Sequence, residues 1–240
     1  MRAIVMLYGL VTYLLFFAVF LYLIAFVGDI IVPQSVSSEA RMDAPLALLI
    51  NLGLTILWGV QHTVMARDGF KQKIAPIIPQ PIERSTYVLA STLVLALLMY
   101  AWQPIDGVIW QVETPLAASL LWGIFGIGWV LVLLSTFLTD HFDLFGLRQT
   151  WLHLVKKTYT PVNFTESLLY QWIRHPMMLG LLLAFWAIPV MTAGHLVFSL
   201  GMTVYILMGI HFEEKGLAAS IGADYTEYQK RTARIIPKIY

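Results

Sequence analysis

Apolar residues in this chain fall into long unbroken runs separated by short polar loops, unlike the half-apolar faces of a soluble fold. Residues 4–27, 45–65, 87–102 and 116–138 form four such runs, each near the roughly 20 residues an α-helix needs to cross a bilayer. Two shorter runs, 177–191 and 195–211, flank Thr192-Ala193-Gly194 and predict a helical hairpin. After them, Leu217, Ile221, Tyr225 and Tyr228 recur at three- and four-residue steps, predicting an amphipathic C-terminal helix over 213–234. The pattern therefore predicts an all-α fold, a polytopic membrane helix bundle of about six spans. The first run is too long for a signal-peptide core and lacks a small-x-small cleavage site, so it reads as a retained span.

Composition supports this. Of 240 residues, 59% are hydrophobic and 12% charged, against about 25% charged in a soluble domain. The absence of cysteine excludes disulfides, thiolate metal sites and a cysteine nucleophile. The six histidines include no close pair with ligand spacing, so no metal is expected. Membrane lipid is the expected surrounding and nucleic acid is not an expected partner.

The net charge of +1 matters less than its distribution. The loop 66–84 carries Arg67, Lys71, Lys73 and Arg84, and 139–174 carries Arg148, Lys156, Lys157 and Arg174. The tail adds Lys215, Lys230, Arg231, Arg234 and Lys238. Between them, 28–44 has one basic residue, Arg41, and 103–115 has none. This alternation predicts six spans with both termini cytosolic. Gln61-His62, Glu83-Arg84, Asp140 to Asp143, Arg174-His175 and Glu213-Glu214 then all fall at cytosolic ends of different spans. Ionisable groups beside lipid are costly, so this convergence predicts a site open to the cytosol.

The densest chemistry is Tyr170-x3-Arg174-His175-Pro176-x3-Gly180, followed by Glu213-Glu214 and Gly222-x2-Tyr225-x2-Tyr228. Pro176 suits the first position of a helix. The amides of Met177, Met178 and Leu179 would then favour an anionic group, with Arg174 adding a fork of donors and His175 a hydrogen bond. Glu213 offers a carboxylate to a ligand hydroxyl or amine, while Glu214 reads as a solvated start to the tail helix. Tyr170 and Trp172 can face a cation or anchor at the interface.

The order and spacing of these elements resemble the C-terminal signature of the isoprenylcysteine carboxyl methyltransferase superfamily, integral-membrane enzymes that use S-adenosyl-L-methionine. Upstream, Gln61-His62-x2-Met65-Ala66-Arg67, Pro81-Ile82-Glu83-Arg84-Ser85-Thr86-Tyr87 and Asp140-His141-Phe142-Asp143-Leu144-Phe145-Gly146-Leu147-Arg148-Gln149 resemble the methanethiol S-methyltransferases of bacteria along nearly the whole chain. NnrU-type membrane proteins are a neighbouring resemblance. The resemblance implies one integral-membrane methyltransferase domain over 1–240, with 139–240 as its cofactor-binding part. It implies that Val162, Asn163, Phe164 and Thr165 line the cofactor with Tyr170, Arg174, His175, Pro176, Met177 and Met178, and that Glu213 is the ligand glutamate. Two departures are visible. Met178 stands where an aromatic residue is usual, and Gly209 stands where the carboxyl methyltransferases place an arginine for a substrate carboxylate.

The implied reaction is methyl transfer from a sulfonium to a small thiol, giving dimethyl sulfide when the thiol is methanethiol. The thiolate is the nucleophile, so a base should help. His141, supported by Asp140 or Asp143, is the first candidate, and His62 the second. Arg174 is a further catalytic candidate through its positive field. His153, His195 and His211 read as structural. Two alternatives stay open: methylation of a lipid or prenyl-cysteine substrate, which Gly209 disfavours, and a non-enzymatic role of the NnrU type.

Overall fold

The computed structural model describes residues 1–162 and 166–237. In chain order its helices are α1 (Arg2–Gly28), α2 (Ala44–Met65), α3 (Asp68–Ile74), α4 (Gln80–Ala101), α5 (Pro115–Leu138), α6 (His141–Leu144) and α7 (Leu147–Leu154). They continue as α8 (Pro176–Trp186), α9 (Ala193–Ile221) and α10 (Ala223–Arg231), with short strands β1 (Val108–Gln111) and β2 (Val190–Thr192). The chain divides into two compact units. Met1–Asp106 with Asp140–Asn163 form the first, and Gly107–Thr139 with Phe164–Tyr240 the second.

Five helices, α1, α2, α4, α5 and α9, are long and apolar enough to cross a membrane. Their outward positions are apolar, with Leu49, Ile56, Leu120, Val130 and Val204 all exposed. That is the distribution expected where hydrocarbon, not water, is the solvent. The polytopic helical bundle predicted from the apolar runs is therefore present.

The expected sixth span differs. α8 ends at Trp186 after 11 residues, about 16 Å of helix against a hydrocarbon core of roughly 30 Å. Pro189 has no N–H to continue the helix, which would orphan the carbonyl of Phe185. That carbonyl instead accepts from Ser199 Oγ at 2.7 Å and bonds His195 Nε2 at 3.0 Å. The following residues pair as β2 with β1, antiparallel, Val108 facing Thr192 and Gln111 facing Val190. The hairpin itself stands, closed by Trp186 Nε1 donating to Thr203 Oγ1 at 2.9 Å. The tail helix also differs. α9 continues through Glu213 to Ile221, the chain breaks at Gly222 with φ +80°, and only Ala223–Arg231 forms the tail helix.

In the first unit, one end gathers the loop after α1. Gln34 Nε2 donates to the carbonyls of Met99 and Trp102, and Asn51 exchanges bonds with the backbone of Gln103. The other end gathers the start of α1, the start of α4, and α6–α7. Tyr8 bonds Thr86, Arg84 Nε donates to Leu144 O at 2.6 Å, and Ser85 Oγ donates to Gly146 O. Gly146 sits at φ +87°, and a Cβ there would lie 2.5 Å from Ser85 Oγ. Only glycine fits both the left-handed backbone and that approach.

In the second unit, α5 packs on α8 through facing glycines. A Cβ on Gly128 would lie 2.6 Å from Gly180 O, and one on Gly180 would lie 2.6 Å from Gly128 O. Trp129, Phe185 and Phe198 continue the core edge-to-face beyond this contact. The β1–β2 pair closes one end, and the residues after Thr165 collect at the other.

Candidate functional site

Arg174-His175-Pro176 stands where a 3-10 turn (Leu168–Gln171) gives way to α8. Pro176 takes the first helical position, and no side chain caps that end. The Leu179 N–H bonds His175 O at 3.1 Å. The amides of Met177 and Met178, but not that of Leu179, are therefore the first-turn donors that the helix cannot satisfy itself.

The chain after α10 straps this corner. Ile173 and Ala233 form a parallel bridge, and the amides of Arg174 and His175 donate to Ala233 O and Arg234 O at 2.8 and 3.1 Å. The centre of the corner is Glu214. Its Oε1 lies 2.6 Å from Arg174 Nε and 3.1 Å from His175 Nε2, and its Oε2 accepts from Arg234 Nε at 3.1 Å. Arg174 Nη1 also donates to the carbonyls of Gln229 and Thr232. Arg174 thus fastens the tail to the start of α8, and its Nε and Nη1 donors point inward.

The two adjacent glutamates reverse the sequence expectation for Glu214. Each helical residue turns about 100° from the last, so the pair faces different surroundings once α9 runs through both. Glu214 is buried, at 5% side-chain exposure, while Glu213 is half-exposed with its Oε2 3.7 Å from His175 Nδ1. Glu213 is the carboxylate left open beside a histidine that Glu214 holds from behind.

Tyrosines complete the corner. Tyr228 donates to Tyr170 O, and Tyr225 and Tyr228 are fully buried. Burial, reinforced by Glu213, pushes the Tyr170 phenol up to about 12, partly opposed by its hydrogen bond from Thr139. Burial likewise lifts Tyr225 to about 12, with Glu214 adding to it. Both stay neutral donors at physiological pH. Trp172 is exposed, as an interface anchor would be. Val162 is exposed, and Asn163, Phe164 and Thr165 lie outside the described residues.

In the first unit, His141 opens α6 and is 4% exposed. Its Nε2 lies 2.8 Å from Tyr13 OH, and the rings of Tyr13, Phe142 and Phe145 pack edge-on around it. Burial lowers its basicity, with the Asp140 carboxylate opposing, so the imidazole is neutral at pH 7. Of the two aspartates the sequence offered as its support, Asp140 acts on the ring through its charge. Asp140 caps the turn through Asp143 N at 3.1 Å. Asp143 accepts from Arg148 Nη1 at 2.8 Å on one oxygen and from Tyr159 OH at 3.2 Å on the other. Arg148 also holds Thr160 through its carbonyl and hydroxyl, so Asp143 anchors the loop and does not orient the imidazole.

His62 sits between α2 and α4. Its Nε2 lies 3.0 Å from Tyr87 OH, its Nδ1 3.3 Å from Ser91 Oγ, and its ring stacks on Trp58 at 5.0 Å. The Arg84 guanidinium lies over Tyr87 at 4.9 Å. Three residues escaped the sequence reading. Glu214 looked like tail surface, Arg234 like one basic residue among several, and Tyr13 like one aromatic in an apolar run. Only the doubled Glu213-Glu214 carried a signal.

Comparison with known proteins settles the family. The NnrU protein family matches residues 49–238. The chain belongs to the NnrU family. Its relatives within reach of the whole length include the methanethiol S-methyltransferase of Mycobacterium tuberculosis, 45% identical over 236 residues, 98% of this chain and 97% of that protein. Methanethiol S-methyltransferase 1 of Bradyrhizobium diazoefficiens is 47% identical over 236 residues, covering 98% and 83%. Nurim of Xenopus laevis is more distant, 28% identical over 169 residues, covering 65% and 58%. No solved structure matches this NnrU-family chain.

Proposed function

We propose that this NnrU-family protein transfers a methyl group from S-adenosyl-L-methionine to the sulfur of a small thiol, with methanethiol as substrate and dimethyl sulfide as product. The observation that carries this reading is near-full-length identity of 44–47% to proteins that bear that enzyme name. The second unit supports the cofactor assignment, because its corner offers groups suited to a zwitterionic, cationic ligand. The first-turn amides of Met177 and Met178, at the positive end of α8, suit a carboxylate. The open carboxylate of Glu213 suits an amine or a ribose hydroxyl.

When bound, S-adenosyl-L-methionine supplies an electrophilic methyl group on a sulfonium. The chain's residues do the rest. Glu214, with Arg174 and Arg234, fixes the backbone that presents His175 and the α8 amides. His175 orients Glu213, and Tyr170 supplies a neutral phenol. A simple alkanethiol has a pKa of about 10, so forming the thiolate at pH 7 costs roughly 4 kcal/mol at 1.36 kcal/mol per unit. In this reading His141, neutral and buried, accepts that proton; His62, held by Tyr87 and Ser91, has a structural place.

The basic residues concentrate in loops 66–84 and 139–174 and in the tail, which supports reactive groups facing the cytosol, and the bacterial relatives support an inner-membrane setting. The deciding experiment is headspace analysis of dimethyl sulfide from purified protein in detergent, given methanethiol and S-adenosyl-L-methionine. Product should appear only with both. Cofactor binding without product would overturn the substrate, and no cofactor binding would favour a non-enzymatic role.

A further inference from the structure

The imidazole of His141 is closed off on the side of Nε2. It is 4% exposed, the rings of Phe142 and Phe145 stand 5.3 and 4.9 Å from it, and Tyr13 OH covers Nε2 at 2.8 Å. Tyr13, on α1, is itself only partly buried and packs among Phe16, Phe17 and Phe145. No thiol can reach Nε2 without displacing the phenol. A tyrosine hydroxyl has one proton to give and two lone pairs to receive, so it can bond Nε2 and a thiol S–H together.

We propose that Tyr13 is a further catalytic residue, relaying the thiol proton to His141. The inference rests on the reading above, in which His141 is the base. The Tyr13 O–H proton passes to His141 Nε2 as the thiol S–H proton passes to the Tyr13 oxygen. The sulfur keeps its electron pair as thiolate, the phenol ends as it began, and His141 ends as imidazolium. Among the described residues, the charged groups near this turn are engaged with one another or with the backbone, Arg148 Nε lying 3.8 Å from Asp140 Oδ2. Asp140 stands in the same turn as His141, Asp143 is engaged by Arg148 and Tyr159, and Arg84 of α4 is bonded to Leu144 O.

Tyr13→Phe keeps the ring and its packing while removing only the hydroxyl. Turnover should fall at least tenfold at neutral pH, approaching that of His141→Ala, and Tyr13→Phe/His141→Ala should be no slower than His141→Ala alone. Independently of activity, ¹⁵N-histidine NMR on the cofactor-free protein should show Nε2 of His141 as an unprotonated acceptor whose resonance moves in Tyr13→Phe. A protonated Nε2 in the wild type, or a Tyr13→Phe enzyme with wild-type turnover beside an impaired His141→Ala, overturns the relay alone. A fully active His141→Ala overturns the base assignment itself.

Discussion

Arg174 Nε donates to Glu214 Oε1 at 2.6 Å, and the two side chains are only 8% and 5% exposed. Removing one partner of a buried pair leaves an uncompensated charge, at a cost of about 3–5 kcal/mol. Here the pair also ties the tail to the start of α8. Glu214→Ala should therefore lower the melting temperature in detergent markedly and make the tail accessible to limited proteolysis. A melting curve like that of the wild type would show that the strap is held by its backbone bonds alone.

The approach of α5 to α8 gives a second stability prediction. Gly128→Ala and Gly180→Ala each drive a methyl group to 2.6 Å from a backbone carbonyl oxygen, which cannot swing aside as a side chain can. Overpacking of this kind costs typically 1–3 kcal/mol. Gly209→Ala, with nothing within 4 Å, serves as the control and should be neutral or slightly stabilising through helix propensity. The measurement is thermal unfolding of the three variants side by side.

How much of this was legible beforehand follows from which forces act locally. The four long spans were readable because hydrocarbon demands continuous apolar length, a local property. The sixth apolar segment was legible but its form was not, because apolarity alone cannot show that Pro189 stops α8 or that Val190–Thr192 pairs with Val108–Gln111. Arg174-His175-Pro176 was legible as helix-opening chemistry. The division of labour between Glu213 and Glu214 was not, since it depends on which face of α9 meets the strap around Ala233 and Arg234. Tyr13 was invisible for the same reason: its partner lies 128 residues away.

His141 should leave a mark on the pH dependence of stability. Burial lowers its folded pKa below the ordinary 6.5, so below that value the unfolded chain binds more protons than the folded one. Stability from this group is therefore fully present above about pH 6.5 and is lost as pH falls through the lower folded value. His141→Gln should flatten the decline of unfolding free energy between pH 6.5 and 5 relative to wild type. Parallel curves for the two proteins would mean that the buried imidazole titrates normally.

The last prediction separates ligand contact from support within the second unit. Glu213 is half-exposed, with His175 Nδ1 3.7 Å from its Oε2, whereas buried Glu214 bonds Arg174, His175 and Arg234. A carboxylate that accepts from a ligand amine or hydroxyl contributes about 1.5–3 kcal/mol, roughly 10- to 150-fold in affinity. Glu213→Gln keeps the shape and removes the charge. It should weaken S-adenosyl-L-methionine binding by at least tenfold in calorimetry while leaving the melting temperature of the ligand-free protein within a degree or two. Glu214→Gln should lower both, because its loss loosens the frame that presents His175 and the amides of Met177 and Met178. Unchanged cofactor affinity in Glu213→Gln would remove that residue from the site and leave the α8 amides as its principal anchor.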